Sequence, residues 1–396
     1  MKDKKKFQFG NVLTVSFAHL SHDIYSAFLA PILPLLISKF GISLSMAGLM
    51  DITRKLPSLF NPFVGLIADR ICVRYFIIVT PAITGIAMSL LGVAPSFPVV
   101  LILLLVAGIS NTLFHVPSPV MIKHVSAEQT GKGMSYYMLG GELARTLGPL
   151  LITAAISWWG LEGSWRVMPL GIIASVILYF KLRNISINKD FQKRKKEIGA
   201  KDTFKKLIPF FIIISGITIF GAAMKLSLTL YLPTFLVQQG NTLWLAGISL
   251  AVLQFSGAIG TFLAGPISDK IGRKNILLIT SIINPILMWL FISSNGSFMI
   301  PLLILMGFFL FASGPVLLAL VQDTDSDHPS FVNGIYMTLS FGVSSLMVLL
   351  IGFLGDKFGL ILTYRICAIL SIASIPFILM LSNKKKLKKI SKEESL

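Results

Sequence analysis

The chain has 396 residues, 54% hydrophobic and only 13% charged, with a mean hydropathy of +0.81 and a formal net charge of +18. Soluble domains carry about 25% charged residues, so this composition excludes an ordinary water-soluble enzyme. Two cysteines, Cys72 and Cys367, are far apart and form no motif.

Apolar runs long enough to cross a bilayer recur along the chain. They predict spans over 10–37, 43–68, 74–94, 98–122, 131–158 and 163–183, then 207–238, 243–268, 274–294, 298–321, 329–353 and 360–382. The first run is too long for a signal-peptide core and no small-residue cleavage site follows it, so it reads as a permanent span. Most connections are short, which makes successive spans antiparallel neighbours. The exception is 184–206, "NISINKDFQKRKKEIGAKDTFKK", a polar linker between an N-terminal half (1–183) and a C-terminal half (207–396) with a basic tail. The expectation is an all-α membrane protein of twelve helices in two six-helix halves.

Lysine and arginine set the orientation. With the N-terminus in the cytoplasm, 27 of them fall on the cytoplasmic side and 4 on the other. Both termini are therefore expected inside, in a cell membrane. The positive charge is mainly topological, with some attraction to anionic lipid. It does not point to nucleic acid.

The halves carry a repeat. "GLIADRICVR" (65–74) and "GPISDKIGRK" (265–274) each follow the second span of their half and share Gly-x-x-x-Asp-basic at an offset of 200 residues. The first copy is degraded, with Cys72 and Val73 at the expected glycine and basic positions. Further echoes, "GFLGDKFG" (352–359) and "WWGLEGSWR" (158–166), fit inverted three-helix repeats within each half. Gly65, Asp69 and Arg70, with Gly265, Asp269, Lys270 and Arg273, resemble the cytoplasmic loop signature of the major facilitator superfamily. That resemblance implies a conformational latch, in which the aspartate binds a neighbouring helix end in one state and releases it in another. An acid near a helix N-terminus gains roughly 0.3–1 kcal/mol, which suits a reversible contact.

"SFAHLSHDIYS" (16–26), "FHVPSP" (114–119), "LGGELARTLGPLL" (139–151) and "YRICAIL" (364–370) are similar to the fosmidomycin-resistance branch of that superfamily. The resemblance implies export of small anionic or amphiphilic compounds coupled to proton entry. Matching positions are His19, Asp23, His115, Pro117, Gly141, Gly148 and Pro149. "MDITRKLP" (50–57), Glu142 and Arg145 depart from the branch pattern. The Gly-Pro pair at 148–149 resembles part of an antiporter signature without its following glycines.

Charges inside spans must face a bundle interior or a wet cavity, because each costs about 2.5–3.5 kcal/mol at the helix centre. His19, His22 and Asp23 stand at i, i+3 and i+4 on one helical face. Asp23 is read as the proton-coupling residue, with His19 as modulator, Glu142 as a further candidate and His22 as a bystander. Arg54, Arg145, Lys225, His115, Asp51 and Tyr25 are the candidate substrate contacts. Arginine can hold a carboxylate or phosphonate bidentately. Asp51–Arg54 and Glu142–Arg145 also read as intrahelical pairs that make their helices insertable, and Lys225 as a snorkelling residue.

The expected function is a proton-coupled exporter of a small organic anion or drug-like compound, working by alternating access as a monomer. Its partners are the bilayer, protons and a small-molecule substrate, with no cofactor. Import of an organic anion is an alternative. Another is transport of a metal or metal chelate by His19, His22, Asp23 and His115, which are acceptable ligands. Catalysis is not expected: the His-Glu-x-x-His motif is absent, and no serine-nucleophile or phosphate-loop motif stands in a usable context.

Overall fold

The computed structural model describes residues 7–61, 74–126, 130–184, 200–294, 298–324 and 329–381. Among them every regular element is helical, as a chain in lipid requires when its backbone must satisfy its own hydrogen bonds. The helices are α1 (Phe9–Ser26), α2 (Leu29–Phe40), α3 (Leu44–Lys55), α4 (Arg74–Ser89), α5 (Phe97–His115), α6 (Ser118–Ser126) and α7 (Thr130–Trp159). They continue with α8 (Met168–Leu182), α9 (Ala200–Gln238), α10 (Leu243–Ile271), α11 (Arg273–Ser293), α12 (Met299–Gln322), α13 (Pro329–Ile372) and α14 (Ser374–Leu379).

Proline and glycine punctuate these elements. Pro31 has no N–H to give the Ala27 carbonyl, and the first span breaks there into α1 and α2. Pro117 and Pro119 stand at the break between α5 and α6. Gly41 ends α2 in the left-handed region (φ 59°). Ser43 then caps α3, its Oγ accepting from Met46 N at 3.2 Å. Gly359, with φ 75° and ψ 161°, divides α13 into two spans.

Among the described residues nine helical stretches are long and apolar enough to cross a membrane. One of them, Ile335–Leu379, divides at Gly359 into two spans. α7, 30 residues long, adds a further span, and α3 opens the second predicted span, whose last residues lie outside the described ones. Glycines, hydroxyls and the Glu142–Arg145 pair make α7 less apolar than the rest, and Asp51, Arg54 and Lys55 do the same for α3.

The chain forms two compact units, residues 1–194 with 230–251, and residues 195–229 with 252–396. The unit boundary therefore falls inside α9, not only at the polar linker. Within the first unit, Tyr231 donates from its hydroxyl to the Leu44 carbonyl at 3.0 Å.

In the first unit α1 lies along α7, and α4 is packed between α1, α5 and α8. The α1–α7 approach needs small residues. A Cβ on Gly140 would strike the Ser16 carbonyl, and one on Gly148 would stand 2.5 Å from the Ile24 carbonyl oxygen. The apolar core there includes Val12, Val15, Ala18, Phe114 and Tyr137. In the second unit α11 packs on α12 and α13, over Ile214, Ile217, Leu277, Val316 and Ile378.

Candidate functional site

The polar face of α1 is turned into the first unit. His22 is fully buried, His19 is 4% exposed and Asp23 is 8% exposed. His19 Nε2 lies 3.1 Å from Asp23 Oδ2, and His115 Nε2, from the end of α5, lies 3.1 Å from Asp23 Oδ1. The carboxylate is thus clasped by two imidazoles from two helices. The His19 and His115 rings meet edge to face at 5.2 Å between centroids.

Each ring has a fixed back. His19 Nδ1 is 2.7 Å from the Tyr137 carbonyl of α7, and its ring stacks on the Tyr137 ring at 4.0 Å. Gly141 leaves room for it, since a Cβ there would lie 2.5 Å from His19 Cε1. The Tyr137 hydroxyl shares a proton with Ser118 at 2.6 Å.

The neighbouring His22 stacks on Phe114 at 4.5 Å, with Nδ1 3.1 Å from Thr84 Oγ1. Thr84 donates to Ser110 Oγ at 2.8 Å, and Ser110 donates to the Thr80 carbonyl at 3.1 Å. With both hydroxyl protons committed, Thr84 accepts from His22 Nδ1–H. His22 Nε2 makes no hydrogen bond and lies 4.0 Å from Asp23 Oδ1.

His19, Asp23 and His115 offer ligand atoms within 4.8 Å of one another. Both imidazoles stand at hydrogen-bond distance from the carboxylate.

The other embedded charges are held within their own helices. Asp51 meets Arg54 at 2.9 Å and Lys55 at 2.6 Å, and Glu142 meets Arg145 at 2.7 Å. Asp51 is buried, whereas the Arg145 side chain is 42% exposed. Tyr25 is 1% exposed, packed close to Gly85 and Gly171, with its hydroxyl donating to the Val167 carbonyl at 2.7 Å. Packing accounts for Tyr25, and the structure offers none of its polar atoms to a solute.

Lys225 belongs to the second unit. It lines a cavity of about 220 Å³ with hydroxyls and an amide, among them Thr280, Ser281, Asn284, Ser313 and Tyr336. Its ammonium lies 4.5 Å from the Phe311 ring centroid. Asn284 is 7% exposed, and its Oδ1 makes no hydrogen bond.

Of the repeated loop motif, Gly65, Asp69 and Arg70 lie outside the described residues. The second copy joins three helices. Arg273, at the start of α11, meets Asp269 of α10 at 2.6 Å and Asp323, just after α12, at 3.4 Å. It also donates to the Gly265 carbonyl at 3.4 Å and to Ser268 Oγ. Lys270 is exposed on the same turn.

Sequence reasoning missed Thr84, Ser110 and Asn284. The two hydroxyls and the amide are visible as polar residues inside apolar spans. The part Tyr137 plays through its backbone carbonyl has no side-chain signature.

The sequence model of the Major Facilitator Superfamily matches residues 15–347. This chain belongs to that superfamily. It is 27% identical to the fosmidomycin resistance protein of Escherichia coli K12, over 97% of this chain and 95% of that protein. It is 24% identical to the multidrug resistance protein MdtG of Salmonella arizonae, over 65% of this chain and 66% of that one. Among solved structures it resembles a bacterial homologue of the human lysosomal transporter Spinster (TM-score 0.75, 16% identity, 95% of each chain). It also resembles a D-xylose-proton symporter (TM-score 0.74, 16% identity, 95% of this chain and 98% of that one). At such identities these structures establish the major facilitator fold alone. The protein is a multi-pass membrane transporter and not an enzyme.

Proposed function

We propose that this transporter exports a small organic anion or drug-like compound against proton entry, by alternating access. The observation that carries the reading is Asp23, a buried carboxylate between two imidazoles at 3.1 Å each in the first span. Such a group can alternate between a proton-bearing neutral state and a charged one without leaving its partners. The drug-resistance names of two relatives support efflux as the direction.

The roles divide by unit. Asp23 with His19 and His115 exchanges the proton. Lys225, at the polar cavity wall, meets the anionic part of the substrate. Arg54, Arg145, Asp51 and Glu142 neutralise one another and make their helices insertable; Arg145, half-exposed, also contributes positive potential. Asp269 and Arg273, with Asp323, form the latch of the second unit. The excess of lysine and arginine on one side supports cytoplasmic termini in the inner membrane of a bacterium, with the monomer as the working unit.

Proteoliposomes with an imposed pH gradient test the reading, screened over phosphonates, carboxylates, metal chelates and cationic drugs. Gradient-driven movement of an anion or drug, lost in Asp23→Asn, is the expected result. Transport by Asp23→Asn that still follows the gradient would remove Asp23 from coupling. Driven uptake in the direction of proton flow would make the protein an importer.

A further inference from the structure

The hydrogen bonds around His19 locate a proton. The Tyr137 carbonyl can only accept, so the 2.7 Å contact requires a hydrogen on His19 Nδ1. Neutral imidazole then has a bare Nε2, and a bare Nε2 facing a carboxylate at 3.1 Å would be two acceptors in contact. A second proton must lie between Nε2 and Asp23 Oδ2. The pair is net neutral, either imidazolium with carboxylate or imidazole with carboxylic acid. His115 can satisfy Asp23 Oδ1 with its own Nε2–H. His22 does not compete, because its Nδ1 is engaged with Thr84 and its Nε2, 4.0 Å from Asp23 Oδ1, makes no hydrogen bond.

Removing one proton leaves the pair with a net charge of −1 and one N–H for two acceptors. A charged acceptor makes a hydrogen bond roughly twice as strong as a neutral one. The remaining hydrogen therefore moves to Nε2, against Asp23. Nδ1 becomes a lone pair facing the Tyr137 carbonyl, and the bond between α1 and α7 turns into a repulsion.

We propose that His19 is a positioning residue whose tautomer converts proton occupancy of Asp23 into making or breaking the α1–α7 contact at Tyr137. The inference rests on the proton-coupling role given to Asp23 above, and it makes His19 the reporter of that proton to the neighbouring span. The surroundings suit a switch. Gly141 puts no side chain against the ring, and the glycine contacts at 140 and 148 hold α7 to α1 by close approach. The titratable groups facing His19 are Asp23 and His22 from α1, His115 from α5 and Tyr137 from α7.

The test is magnetic resonance on the full chain in lipid nanodiscs without substrate, with ¹⁵N-histidine and paired ¹³C′-tyrosine and ¹⁵N-methionine labels. Tyr-Met occurs at 137–138 and 336–337, so Met337→Leu assigns the Tyr137 carbonyl. In the wild type, the Tyr137 carbonyl should show its hydrogen-bonded shift at acid pH. It should lose that shift over the same pH interval in which the His19 nitrogens change from both protonated to Nε2–H alone. In Asp23→Asn, which offers no charged competitor, the carbonyl shift should not move with pH. A Tyr137 carbonyl indifferent to pH in the wild type overturns the proposal and needs no variant. So does an Asp23→Asn titration identical to the wild type. Failure of gradient-driven transport with the switch intact would instead fault the coupling reading, which keeps the two separable.

Discussion

The two units share a scaffold and differ in chemistry. In the first, a Cβ on Gly108 of α5 would strike the Arg54 carbonyl; in the second, one on Gly307 of α12 would strike the Leu253 carbonyl. Both glycine and partner recur at an offset of 199 residues, close to the offset of 200 between the loop motifs. The chemistry does not recur. At an offset of 200, His19, His22 and Asp23 become Ile219, Ala222 and Ala223. Where the first unit buries a carboxylate among imidazoles, the second buries hydroxyls and an amide beside Lys225. Close helix approach is needed in both units, so its glycines repeat. The proton site proposed at Asp23 has no counterpart at these positions of the second unit.

Transplanting the carboxylate should break the comparison most sharply. Asp23→Asn is expected to reduce gradient-driven transport to background. Ala223→Asp, at a fully buried position with no imidazole from its own helix face, should cost about 2.5–3.5 kcal/mol and restore nothing. Liposome flux and the thermal midpoint of the purified protein measure the two effects.

Next in size are the shared glycines. Gly108→Ala and Gly307→Ala should each destabilise by about 1–3 kcal/mol through overpacking, and by similar amounts, as read from thermal midpoints. Unequal losses would show that the repeat conserves the residue and not the contact.

A contrasting pair follows. Gly141→Ala should displace the His19 ring at a similar cost of about 1–3 kcal/mol and weaken coupling. Gly342→Ala, where a Cβ meets nothing within 4 Å, should stabilise α13 by about 0.5–1 kcal/mol. Calorimetry beside flux separates them.

The smallest effect belongs to Asn284→Leu. It removes a buried Oδ1 that has no partner, so its change in stability should stay within about 1 kcal/mol. Substrate affinity should fall if Asn284 shares the Lys225 cavity with the ligand, and binding isotherms report it.

Much of this was legible in the sequence because the bilayer is a strict solvent. Apolar length and lysine placement predicted twelve spans, and the Gly-x-x-x-Asp repeat pointed to the halves and the superfamily. Helical spacing put His19, His22 and Asp23 on one face, and the i, i+3 offsets anticipated the Asp51–Arg54 and Glu142–Arg145 pairs. These are local properties, set by 3.6 residues per turn and the cost of burying charge. Tertiary structure decided the rest. It brought His115 to Asp23 across 92 residues, set the Tyr137 carbonyl behind His19, and fixed His22 through a hydroxyl chain from two other helices. It also closed packing around Tyr25, which the sequence offered as a substrate contact. Such facts depend on which faces of separate helices meet. Backbone carbonyls, which decide where the His19 proton lies, carry no residue identity to read.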